Sequence, residues 1–471
     1  MSIRLLLSAA LALGTLALPV TAAPSALAAE PGPDAATRQR ADDLAKDYMR
    51  FLEAAKVPLQ RTRYLKAMVE KAGFKPYTAS ERWRAGAKFY HINRDRAMML
   101  WVVGEAPLAD GVRVIGAHLD SPRLDLRVRP LKTGEGLLML KVEPYGGVKR
   151  YQWANLPLAL VGQVARMDGR LVDVSIGLAP DDPVFILPDL APHVDKDQRA
   201  RTADQVFKGE ELNAIAASLP DGSGDVKKAF LKALQDRYGL TEDDFTSAEL
   251  SLVPAVPPRE IGLDRALIGS YGQDDGLCSF VGARALMNLP GTPKHTAMVL
   301  LVDHEEVGNI NTTGAKSRYF EAALSGMVER EAGRDKAMTA ITSMWERSMA
   351  LSADVSQAIN PNFPGTEDKE TTARIGQGMT VKTMKPGFDG LPATRAKLRQ
   401  LLATHRIPWQ TYAYKVDGGG GGTIGTLLQE LNMDVVDVGV PLLAMHGTYE
   451  VSSKQDVHSL ERFFTQFLVG R

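Results

Sequence analysis

Residues 297–308 read AMVLLVDHEEVG, an unbroken apolar run from Ala297 to Val302 that drops straight into Asp303, His304, Glu305 and Glu306. A short apolar run rich in Val and Leu, too brief for a helix and without polar alternation, fits a strand covered on both faces. Adjacent side chains at the end of such a strand point in opposite directions. One glutamate can then reach a metal while its neighbour faces the water that the metal activates. The competing reading is an acidic loop on a solvated face.

The same texture recurs on either side of this run. Strand-like stretches at 88–92, 97–103 and 112–117 precede it, the last ending at His118, Asp120 and Ser121. Apolar spacing of helical period over 41–55 and 61–73 predicts two outer helices. After Pro258, apolar strands alternate with helical segments, including 297–302, 339–350 and 423–431. This alternation predicts an α/β fold with a mixed, mainly parallel sheet covered by helices. Between 129 and 258 the chain changes to short β-like runs punctuated by Tyr145-Gly146-Gly147 and Asp168-Gly169, with one helix near 226–238. That stretch reads as an inserted β-rich domain.

Hydrophobic residues make up 45% and charged residues 24% of the 471, the balance of a folded globular chain. Lys plus Arg number 56 and Asp plus Glu 56, so no net charge favours nucleic acid or an anionic membrane surface as partner. A peptide or small molecule is the expected substrate. The single cysteine, Cys278, excludes an intrachain disulfide and any cysteine-based metal cluster. Arg4, an apolar run over 5–18 and small residues up to Ala28 have the layout of a cleavable export signal over 1–28. The apolar run falls short of the roughly 20 residues that a membrane span requires. The mature chain is therefore expected to be exported, periplasmic or secreted, and free of the membrane after cleavage.

Five short segments carry most of the acids and imidazoles in suggestive settings: GAHLDSP at 116–122, GQDDGLC at 272–278, DHEEVG at 303–308, SADVSQA at 352–358 and MHGTYE at 445–450. In open α/β sheets the ligand crevice lies beyond the carboxyl ends of the strands, where distant segments can meet. His118 and Asp120, two apart at a strand end, project to the same side. The carboxylate can hold the imidazole's tautomer while the other ring nitrogen binds metal. By itself the pair also fits an ordinary polar strand terminus. Asp274 and Asp275 precede a helical pattern, where a cap and a first-turn acid are the plain alternative. Asp354 and His446, taken singly, read as loop residues.

Taken in order, these segments resemble the aspartyl aminopeptidase and vacuolar aminopeptidase family of dinuclear zinc metallopeptidases. The likeness runs from about residue 40 to the C-terminus and includes VEPYGG at 142–147, LPDLAPH at 187–193 and GGTIG at 421–425. It implies a zinc-peptidase-like catalytic domain in two parts, 29–128 and 259–471, interrupted by a dimerisation domain at 129–258. It implies that Asp274 bridges two Zn2+ ions, for which Mn2+ or Co2+ can substitute. His118 and Asp354 complete one site, and Glu306 and His446 the other. Glu305 matches the general base toward the bridging water, and Asp120 orients His118. The implied activity is release of the N-terminal residue of a peptide, with a preference for acidic residues. The implied assembly is a homo-oligomer between dimer and dodecamer, in which a histidine of the insert, matched by His193, reaches a neighbour's site.

Three candidate substrate contacts remain. Lys382 can pair with an acidic substrate side chain or face solvent from a strand. Gly422 and Thr423, in the GGTIG turn, can offer backbone amides to the substrate or form a plain surface loop. The sequence departs from the family pattern at Val194-Asp195-Lys196, at Gln357 and Asn360 where a histidine is expected, and at Tyr449 where an arginine is expected. These changes leave the implied ligands intact and put the acidic preference in doubt. A related dinuclear zinc hydrolase, either carboxypeptidase or deacylase, and a non-catalytic metal-binding homologue are the other readings. Retention of Glu305 speaks against the last.

Overall fold

Strand ends decide where this molecule gathers its acids, and a computed structural model describes residues 34–78, 83–383, 390–418 and 422–470. The stretch 1–28, expected to be an export signal, lies outside these residues. Among the described residues nine strands form one sheet, in the order Lys75–Pro76, Lys88–Asn93, Ala97–Val102, Ala297–Val302, Arg113–His118, Met349–Ala353, Asp434–Gly439, Met379–Lys382 and Trp409–Tyr412. Five neighbouring pairs are parallel. Three are antiparallel. This is the mixed, mainly parallel sheet expected.

Every residue of Ala97–Val102 and Ala297–Val302 is buried. Helices on both faces account for this, and hence for the absence of polar alternation in those strands. On one face lie Ala35–Ala54, Pro58–Lys71, Gln273–Met287 and Lys454–Val469, which bury Tyr48, Phe51, Leu65, Phe280, Phe463 and Phe464 in a single core with one side of the sheet. On the other, Tyr319–Ala332 and Ala337–Arg347 cover Met99, Trp101, Met298 and Leu300. The helix starts are local. The Asp34 side chain accepts from the Thr37 amide at 2.7 Å, Pro58 occupies the first turn of its helix, and Ser453 accepts from the Gln455 amide.

Register brings the chemistry together. Val302 pairs in parallel with His118, and Ser352 with Gly116. His118, the Asp303–Glu306 turn and Asp354 therefore leave the sheet at one edge.

A second, six-stranded sheet comprises Leu171–Ile176, Leu158–Ala165, Ala248–Pro254, Arg123–Gly134, Leu137–Tyr145 and Asn213–Ala217. Its pairings are antiparallel, and Val226–Tyr238 forms the helix expected there. The sheet starts earlier than the change of texture at 129, because Arg123 already pairs with Tyr145 and Leu124 joins the second core. That core also takes in Val57, Leu59 and Tyr271 from the main body. The second sheet thus packs against the main body through the start of the Pro58–Lys71 helix and through Tyr271.

Candidate metal centre

The five segments converge. His118, the last residue of its strand, is buried; its Nε2 lies 3.3 Å from Asp274 Oδ1 and 3.7 Å from Asp354 Oδ1. Asp274 Oδ2 lies 3.0 Å from His446 Nε2, and Glu306 Oε1 lies 3.5 Å from the same nitrogen. Asp274 therefore turns one oxygen to each imidazole. Glu305 Oε2 stands 4.0 Å from His118 Nε2. Asp274 Oδ1 and Glu306 Oε1 are buried without a hydrogen-bond partner among the described residues.

The backbone around these side chains is held from behind by Asp120, which the sequence singled out, and by Tyr145, Glu450 and Arg61, to which it gave no role. Asp120 receives the amides of Glu305 and Glu306, each at 3.1 Å, and the Tyr145 hydroxyl at 2.8 Å, while its Oδ1 sits 3.2 Å from His118 Nδ1. One carboxylate thus fixes the histidine and the turn that carries both glutamates. The fully buried Glu450 accepts from the amides of Gln273 at 2.7 Å, Asp274 at 3.2 Å and His446 at 2.9 Å. The fully buried Arg61 donates to the carbonyls of Leu119 at 2.9 Å and Gly272 at 2.7 Å, tying together the loops that carry His118 and Asp274. Asp275, buried beside Asp274, accepts from the Cys278 amide at 3.1 Å.

The second sheet reaches this centre through its Leu137–Tyr145 strand and the two glycines that follow. Arg123 stacks on the Tyr145 ring at 3.6 Å, aiming the hydroxyl at Asp120. A Cβ on Gly147 would lie 2.7 Å from His446 Nδ1, and one on Gly146 would lie 3.1 Å from Glu306 Cβ. Only glycine lets this turn close on the two side chains. The Gly-Gly step in VEPYGG was the one sequence signal for this contact; nothing local marked Tyr145 or Glu450.

Charge defines what the centre needs. Burial, with Asp354 and Asp274 facing it, pushes Glu305 up to about 7 against the pull of His118. Burial and Asp274 raise Glu306 well above the ordinary carboxylate range. Burial lifts Asp275 in the same way. Burial opposes protonation of His118, but Asp120, Asp274 and Asp354 outweigh it and raise the imidazole. So many buried acids around two imidazoles are costly without further cations. His118, Asp274 and Glu306 offer ligand atoms all within 4.8 Å of one another, and so do His118, Asp275 and Asp354. Nitrogen and oxygen donors in such groups, with two orphaned oxygens, fit divalent zinc.

The other expected contacts fare differently. Lys382 does not face solvent from a surface strand: it is largely buried, its Nζ donates to the Val355 carbonyl at 2.9 Å and lies 3.6 Å from Asp354 Oδ2, and it lines the cavity over the centre. Its strand runs inside the sheet, between Asp434–Gly439 and Trp409–Tyr412, rather than on an exposed edge. Gly422 lines a cavity of about 1070 Å³ that opens over the centre and also includes Gln357 and Tyr414. Thr423 is buried and does not line it. His193 lies on an exposed turn of the second sheet's domain, outside its own chain's cavity. Tyr449 donates to the Pro257 carbonyl at 3.1 Å, away from the centre.

Buried carboxylates and imidazoles at the carboxyl ends of parallel strands, with a spare glutamate beside them, define a metal-dependent hydrolase. The family described as Aminopeptidase I zinc metalloprotease (M18) matches residues 51–468, and the chain belongs to that family. It is 37% identical over 443 residues to the "Probable M18 family aminopeptidase 1" of Thermotoga neapolitana, covering 92% of this chain and 96% of the relative. A crystal structure of an M18-family aminopeptidase from Thermotoga maritima superposes with a TM-score of 0.87 at 34% identity, covering 92% of this chain and 97% of that one. The Saccharomyces cerevisiae mApe1 dodecamer shares the fold, with a TM-score of 0.72 at 22% identity over 91% of this chain and 97% of that one. The protein is a zinc metalloaminopeptidase, a hydrolase of peptide bonds.

Proposed function

We propose that two zinc ions share Asp274, one held with His118 and Asp354 and the other with Glu306 and His446, and that Glu305 is the general base for removal of single N-terminal residues. The observation that carries this reading is the placement of Asp274, with one oxygen 3.3 Å from His118 and the other 3.0 Å from His446. Bound zinc supplies Lewis acidity to the scissile carbonyl and makes water acidic enough to lose a proton near neutral pH. Glu305 takes that proton on its carboxylate and returns it to the leaving amine nitrogen, so one side chain serves twice. Asp120 keeps His118 in one tautomer and holds the Glu305 backbone in place. Gly147 closes the site beside His446.

The peptide's free α-amino group is recognised at the acidic end of the cavity, which restricts the enzyme to unblocked termini. Residues 1–28 direct export, and the mature enzyme works outside the cytoplasm as a homo-oligomer. Support for assembly comes from exposed apolar side chains on the second sheet's domain, including Met167, Leu171, Val194 and Leu219. The mApe1 dodecamer shares this fold. Two lysines among the described residues line the cavity, Lys382 and Lys415, and each already donates to a backbone carbonyl, so neither gives independent support to a preference for acidic N-terminal residues.

Glu305→Gln tests the assignment. The variant should keep its zinc content by elemental analysis and lose about 10²–10⁴-fold in kcat on an unblocked peptide. Chelator should abolish wild-type activity, and N-acetylated peptides should resist. Cleavage of blocked substrates in preference to free ones would replace the aminopeptidase reading with a deacylase or carboxypeptidase one.

A further inference from the structure

Besides the metal ligands, the cavity of about 1070 Å³ is lined by Val355 and Met445, the neighbours in sequence of Asp354 and His446, and by Glu367 and Asp417. Two lysines share that space, and both are committed to protein partners. Lys382 Nζ donates to the Val355 carbonyl and faces Asp354. Lys415 Nζ donates to the Gly365 carbonyl. Neither Glu367 nor Asp417 forms an ion pair with a described residue, although the Lys415 charge acts on Glu367 from nearby.

That part of the lining is held in place. The Ala413 amide donates to the Thr371 carbonyl at 3.3 Å and the Thr372 hydroxyl to the Ala413 carbonyl at 3.2 Å, so the loop bearing Glu367 is tied to the segment that leads into Lys415 and Asp417. The same cavity therefore offers a substrate side chain both aliphatic surface, from Val355 and Met445, and the Glu367 and Asp417 carboxylates. Lysine and arginine match both, with an apolar stem under a cationic head. Aspartate and glutamate would bring a like charge toward the same carboxylates.

We propose that Glu367 and Asp417 make this aminopeptidase select a long cationic N-terminal residue, lysine or arginine, over an acidic one. The inference rests on the aminopeptidase reading above. It makes Glu367 and Asp417 determinants of specificity, remote from the reacting bond.

The test uses zinc-loaded full-length enzyme and peptides that differ only in the first residue, Arg, Lys, Leu or Glu. In the wild type, kcat/KM for Arg and Lys should exceed that for Glu by about tenfold or more, the scale of one well-placed charge contact. In Glu367→Gln and in Asp417→Asn the ratio of Arg to Leu should fall several-fold and the ratio of Glu to Leu should rise. Faster release of Glu than of Arg, or ratios that neither substitution moves, would overturn the proposal. Release of no N-terminal residue from any peptide would instead overturn the aminopeptidase reading, and the specificity with it.

Discussion

The two sheets bury themselves in different ways. In the nine-stranded sheet, Ala97–Val102 and Ala297–Val302 are buried at every residue. In the six-stranded sheet, Leu137–Tyr145 buries Leu138, Leu140 and Val142 while the residues between them are more open, and Leu171–Ile176 buries Val174 and Ile176 while exposing Leu171, Asp173 and Ser175. The first is a sheet sandwiched by helices, with chemistry confined to its strand ends. The second keeps one face for water or for another molecule. Stability and geometry of the reaction therefore reside in one sheet, and surface for contact in the other, with Tyr145 as the link.

That division can be broken experimentally, and the body should be the more fragile side. Phe463 is fully buried on Lys454–Val469. Phe463→Ala should cost about 3–5 kcal/mol in denaturant unfolding; a loss below about 1 kcal/mol would show that the body's core is not what holds the fold. Next in size is the link. Tyr145→Phe removes one hydrogen bond to Asp120 and should weaken zinc retention against a chelator, or kcat, by about 10–100-fold with unchanged circular dichroism. Wild-type behaviour would make the link dispensable.

A smaller effect sits in pH. Burial, with Arg462 and Arg40 nearby, depresses His458 in the body to about 4. An unfolded histidine titrates near about 6.5, so between about 6.5 and about 4 the unfolded chain binds a proton that the folded chain refuses. Stability from this group is full above that window and is lost as pH falls through it. His458→Gln should flatten the acid side of the stability curve, and a curve of unchanged slope would remove His458 from the account. The smallest effect belongs to the second sheet. Leu171→Ser, on an exposed position, should shift monomer stability by no more than about 0.5 kcal/mol while weakening self-association in sedimentation. A large loss of stability would place Leu171 in a core.

Much of this was legible because it is local. Apolar runs at 88–92, 97–103 and 112–117 became strands at Lys88–Asn93, Ala97–Val102 and Arg113–His118. The acids that end such runs, with His118 and His446, came together as the sheet order requires. What escaped depends on partners far along the chain. Lys382 looked like a surface lysine because Met379–Lys382 says nothing of the strands on either side of it, or of the Asp354 carboxylate waiting there. Glu450 and Tyr145 act through backbone amides and a carboxylate from other segments, and Thr423 is buried where a lining residue was expected. The second sheet began before 129 because pairing with Tyr145, a tertiary event, extends its first strand back to Arg123.

The glycine turn that closes over His446 has a consequence for the newborn enzyme. Its cutting apparatus needs pieces from the beginning, the middle and the far end of the polypeptide, including the Tyr145-Gly146-Gly147 hinge supplied by the intervening module. A ribosome-bound or half-threaded chain holds only some of them, so the centre cannot assemble until the segment bearing His446 has joined His118 and Asp274.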